Sequence, residues 1–110
     1  MTNARPVLWR PSLKSYFLEG VHNITVVEKE LSSVLPGQTS PWLLLASGGD
    51  PIAYFYPRAT GKEEDAAGPY LVQADISGRH YNEDDAVLRV LRSIQNRVGG
   101  EIRDDDDNPL

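Results

Sequence analysis

His22 and His80 are the side chains of this chain whose ordinary charge change falls closest to neutral pH. His80 has the richer surroundings, with Asp75, Arg79, Tyr81 and Asp84 close by in sequence. An imidazole there could move a proton if a carboxylate held its tautomer and a substrate pocket opened over the helix that follows. On that reading Asp75, Arg79 and His80 form a polar site, and a minor enzyme would be centred on His80 and Asp75. The plainer account is a surface-loop histidine bonded to a capping group. It is preferred because neither a nucleophile nor a second base stands in the segment, so no catalytic residue is assigned. His22 reads as a helix-entry residue.

Other chemistries are excluded more firmly. The chain has no cysteine, which removes disulfides, thiolate metal sites and cysteine nucleophiles. Two histidines cannot build a zinc site unless carboxylates complete it. Asp104 to Asp107 could attract Ca²⁺ or Mg²⁺, but they lack the alternating spacing and turn glycine of a calcium loop. No metal and no cofactor is expected. Gly61-Lys62 lacks the preceding glycine of a phosphate loop, and Thr60 stands before the pair rather than after it. Glu83 and Asp84 are accounted for by a helix start, whose dipole favours negative charge.

Recognition has better material than reaction. Ile52, Tyr54 and Tyr56 share one face of a strand, opposite Ala53 and Phe55. If helices do not cover that face, it presents tyrosines, which recur in protein interfaces. Trp9 could anchor the N-terminal segment or dock on a partner. Tyr54, Tyr56 and Trp9 are therefore the candidate interface residues.

Positioning these groups falls to one domain, since 110 residues support a single core. An apolar fraction of 40% and a charged fraction of 25% are those of a folded protein. The formal net charge is −5, and four of the negatives are Asp104 to Asp107, so the remainder stands at −1. A nearly neutral body argues against a nucleic-acid partner. No apolar run reaches membrane-spanning length and Met1–Arg10 lacks a signal-peptide core, so a soluble cytoplasmic protein is expected.

The elements follow from periodicity. Residues 15–19 form a short strand ended by Gly20. Thr25 and Glu28 have capping-box spacing, and Val27, Leu31, Val34 and Leu35 make the stripe of a helix over 25–35, stopped by Pro36-Gly37. Trp42–Ser47 and Pro51–Tyr56 read as a hairpin turning on Gly48-Gly49. Residues 57–69 lack periodicity and read as a loop. Tyr70, Val72, Ala74 and Ile76 alternate with polar neighbours as a strand. Asn82 is positioned to cap a second helix with the stripe Val87, Leu91, Ile94 and Val98, ended by Gly99. Glu101-Ile102-Arg103 could add a last strand. The simplest arrangement is α+β: a ferredoxin-like two-layer sandwich, mostly antiparallel, with both helices on one sheet face. Residues 1–13 would be an arm, 14–103 the domain and 104–110 an acidic disordered tail.

The run Tyr70-Leu71-Val72-Gln73-Ala74-Asp75-Ile76-Ser77-Gly78-Arg79-His80, followed by Asp84-Asp85-Ala86-Val87-Leu88, resembles the second half of an ACT-type regulatory domain. The resemblance covers about a quarter of the chain. It implies a ferredoxin-like sandwich that pairs with a second copy or a partner domain and regulates rather than reacts. It also implies an amino-acid ligand near Gly20, His22 and Asn23. There this chain departs from the family, carrying Gly20-Val21-His22-Asn23 where the family has Pro-Gly. The leading expectation is a small non-enzymatic interaction or regulatory domain, associating through a sheet face or edge with a protein partner or as a homodimer. An amino-acid sensor and the minor enzyme are the alternatives.

Overall fold

The structure is a computed structural model that describes residues 14–35, 41–60, 68–80 and 82–110, with the side chain of Arg79 outside that description. The arm 1–13, including Trp9, the helix stop at 36–37 and Tyr81 lie outside the described residues.

Alternating apolar residues build five strands: β1 Lys14–Val21, β2 Trp42–Leu45, β3 Pro51–Ala59, β4 Tyr70–Ile76 and β5 Glu101–Asp104. Two helices, α1 Ile24–Val34 and α2 Asp84–Val98, carry the apolar stripes. The strands form one open sheet in the order β2-β3-β4-β1-β5, with every neighbouring pair antiparallel. The fold is thus α+β.

One sheet face is sealed. Leu18, Phe55, Val72, Ala74, Ile76 and Ile102 are fully excluded from solvent, and their cross-strand pairing puts them on a common side. Val27 and Leu31 from α1 and Val87, Leu91 and Ile94 from α2 join the same buried cluster. Each such side chain is worth about 1.5–3 kcal/mol when taken out of water. Polar contacts then fix the helices. Ser93 donates to Glu30 at 2.5 Å and Arg97 approaches the same carboxylate at 3.2 Å, joining α2 to α1. Trp42 donates its indole N–H to Ser32 at 3.3 Å, tying β2 to α1. Asp84, at the start of α2, accepts from the Tyr16 hydroxyl and pairs with Lys14 at 2.7 Å, so both β1 residues hold that helix end. Burial pushes the Asp84 carboxyl up, but the hydrogen bonds from Lys14 and Tyr16 outweigh it and leave the group below its ordinary value. Burial first, and then the Asp84 carboxylate, raise the Tyr16 phenol above its usual range. Both helices therefore lie on one side of the sheet.

Several local expectations are corrected. Asn23, not Thr25, caps α1: its side chain accepts from the Val26 N–H at 3.2 Å. Asn82 does not cap α2, which starts after Glu83 with no side-chain cap bond. The β2–β3 loop is longer than a two-residue turn. Ala46 donates to the Asp50 carbonyl at 2.8 Å, so Ser47, Gly48 and Gly49 form the loop, with Gly49 at φ +91°. The loop expected from residue 57 begins later, because β3 runs on to Ala59. Pro57 is tolerated there because it lies past the reach of β2, whose pairing stops at Phe55. Ile52 is buried in the core rather than displayed beside the tyrosines.

At the acidic end, residues 104–110 turn back along β5. Asp104 accepts from the N–H groups of Asp106 and Asn108 at 2.9 Å, Arg103 bridges to Pro109, and Leu110 donates to the Ile102 carbonyl at 2.9 Å. Backbone hydrogen bonds to a carboxylate recover much of its hydration, and those from Asn108 lead the causes that hold Asp104 below its ordinary value. The return covers the outer edge of β5, a device that keeps a strand edge from pairing with another chain.

Candidate interaction face

Among the described residues, no helix packs on the second sheet face. Residues directly opposite each other in antiparallel strands share a face, so the pairing defines its rows. One row runs Tyr54, Asp75, Ser15; the next runs Tyr56, Gln73, Phe17, Arg103; a third starts with Arg58 and Leu71 and ends with Glu19 and Glu101.

Asp75 organises the middle of this surface. Its carboxylate accepts from the Ser15 hydroxyl at 2.6 Å, the Tyr56 hydroxyl at 2.6 Å and the Gln73 amide at 3.0 Å. Gln73 in turn accepts from Arg58 at 3.0 Å. Three strands are thereby cross-linked by side chains on one face, and the Tyr56 ring is held in place by its bond to Asp75. Partial burial and then the bond to Asp75 push the Tyr56 phenol up to about 12. Tyr54 is 39% exposed, whereas Leu71 and Phe17 are more covered. Charge is unevenly distributed. Arg58 stands on β3, while Glu19 and Glu101 stand on β1 and β5, where Arg103 lies at 3.5 Å from Glu19 and 2.9 Å from Glu101. A shallow cleft of about 200 Å³ lies between, floored by Phe17 and Leu71 and edged by Arg58 and the acidic turn.

Tyr54 and Tyr56 are thus brought to the uncovered face together, and Asp75 sits among them. His80 is placed elsewhere. It ends a single 3-10 turn, Gly78–His80, and its Nε2 lies 2.9 Å from the Asp50 carboxylate on the β2–β3 loop. The polar grouping of Asp75 with His80 is therefore not formed: each has a different partner. The backbone of Arg79 lies in the same turn. Gly20, at φ +78°, sits where the β1–β4 register shifts. Gly68 packs so closely on Gly20 and Val21 that a Cβ there would overlap their backbone. His22 is exposed, and Asn23 uses its side chain for the α1 cap. Asp104, Asp105 and Asp106 bring carboxylate oxygens within 4.8 Å of one another, an arrangement exposed acids adopt without an ion.

Ser15, Phe17, Arg58 and Gln73 were not singled out in the sequence. Their alternation was readable, but the strand register that joins them was not. No family model, curated protein or solved structure matches this chain. Among the described residues no helix is long and apolar enough to cross a membrane.

Proposed function

We propose that this chain is a small non-enzymatic protein-interaction domain of the cytoplasm whose working surface is the uncovered sheet face. The observation that carries this reading is the hydrogen-bonded set around Asp75, which pre-orders Tyr56 on a face that no helix covers among the described residues. Holding aromatic side chains in place before contact lowers the entropy lost on binding. The fold we read as an elaborated ferredoxin-like sandwich. With β2 set aside, β3-β4-β1-β5 keeps β4 between the parallel pair β1 and β3, and β1 between the parallel pair β4 and β5, the split βαβ pattern.

A photo-crosslinking amino acid placed at Tyr54, and separately at Arg92 on the exposed side of α2, tests the reading in cells. Crosslinks to protein should form from position 54 and not from 92. Crosslinks from 92 alone would overturn it.

A second reading, an amino-acid sensor of the ACT kind, draws support from a cleft of about 480 Å³ lined by Glu19, Gly20, Gly100, Glu101 and Arg103. Its opposite charges suit the ammonium and carboxylate of a free amino acid. A ligand that binds only the native state must raise its stability, so a thermal-shift screen of amino acids with no stabilisation removes this reading.

A further inference from the structure

The rows of the uncovered face carry more than tyrosines, because their charges are ordered from one side of the sheet to the other. Arg58, opposite Leu71, and Glu101, opposite Glu19, stand at the two ends of the third row, which crosses the β1–β4 register shift between Leu18 and Val21. In the next row Tyr56 and Arg103 do the same. The midline between them falls between β4 and β1.

We propose that the occupant of this face is a second copy of the same chain, docked face to face about a twofold axis parallel to the strands and passing between β1 and β4. This rests on reading the face as an interaction surface and names its partner. Rotation about that axis keeps each row opposite itself and exchanges its two ends. Arg58 then meets Glu101 of the second copy, and Tyr56 meets Arg103, a pairing of ring face with guanidinium that is itself attractive. Each contact occurs twice, as a twofold interface requires.

The other in-plane axis, across the strands, fails on charge. It would reverse the rows and set Glu101 against Asp105, whose carboxylate lies 3.4 Å from the Ser15 N–H at the opposite end of β1. Like charges brought together in an interface are strongly unfavourable, so electrostatics selects the first axis. The edges compete poorly. The β5 edge is occupied by the return through Pro109 and Leu110, and β2 is only four residues long.

The area is sufficient and small. Five strands about 4.8 Å apart and averaging about 20 Å in length present about 500 Å² per copy, or about 1,000 Å² for the pair. That meets the lower bound for a specific interface of about 1,000 Å² and fits a dimer that dissociates on dilution.

Sedimentation equilibrium of the wild type, Arg58→Glu, Glu101→Arg and the double variant tests the proposal, with circular dichroism confirming that each is folded. The wild type should dimerise reversibly. Each single reversal should weaken the dimer by about tenfold or more, and the double swap should restore it. A strictly monomeric wild type, a dimer indifferent to the single reversals, or a swap that fails to rescue would overturn it. A monomer that still crosslinks other proteins through position 54 removes self-association alone. A monomer with no crosslink removes the interaction reading as well.

Discussion

The two faces of the sheet are made by neighbouring residues of the same strands, yet they are held by different physics. On the helix side, Leu18, Phe55, Val72 and Ile76 are sealed beneath α1 and α2, and shape and burial set their energy. On the open side, Ser15, Tyr56 and Gln73 converge on one carboxylate in partial contact with water, and hydrogen-bond direction sets theirs. The first face makes the fold stable. The second stabilises it less but leaves a surface whose side chains are already oriented. A domain can lose much of the second without unfolding, which is the condition for a surface free to serve recognition.

The contrast can be broken most forcefully with two phenylalanines. Phe55→Ala should cost about 3–5 kcal/mol in denaturant unfolding, because the cavity lies in a packed core. Phe17→Ala, half-exposed on the other side, should cost about 1 kcal/mol. Equal losses would mean the open face is not open.

Asp75→Ala should fall between these values, at about 1–2 kcal/mol, since it leaves two hydroxyls and an amide without their acceptor while water can partly replace it. The same unfolding experiment measures it.

A smaller effect lies in the Tyr56 phenol, raised to about 12 by partial burial and by its bond to Asp75. A folded-state value above the unfolded one means the neutral phenol is favoured by folding. The associated stability is therefore complete below about pH 10 and is lost as pH rises through about 12. Absorbance titration of tyrosinate should show a late-ionising phenol, and Asp75→Asn should move it to lower pH. An unchanged titration would show that the bond does not form.

The smallest expected change is the most discriminating. Arg58→Ala removes an exposed side chain and should alter monomer stability by no more than about 0.5 kcal/mol. It should nonetheless weaken self-association measurably in sedimentation, separating what the open face does for folding from what it does for binding.

The helix-side face was largely legible in the sequence. Val27 and Leu31, and Val87, Leu91 and Ile94, repeat at helical spacing, and Val72, Ala74 and Ile76 alternate, so the buried stripe could be written before the fold was known. Caps were harder, since Asn23 and Thr25, or Asn82 and Glu83, are neighbours that composition alone does not rank as helix starts. The open face was legible only in part. Tyr54 and Tyr56 could be placed together, but Ser15 and Asp75 stand 60 residues apart and meet through a register no local pattern encodes. The return of residues 104–110 was invisible for a related reason. A run of aspartates signals solvent by composition, while the backbone bonds that Asp104 accepts depend on a turn that composition does not describe.

A dilution series followed by amide NMR tests most directly whether the open face is where this chain meets a second copy of itself. Signals that move with concentration should fall in residues 15–19, 54–58, 71–75 and 101–105, while the exposed sides of α1 and α2, including Arg89 and Arg92, stay still. Movement on the helices, or nowhere, would contradict the account.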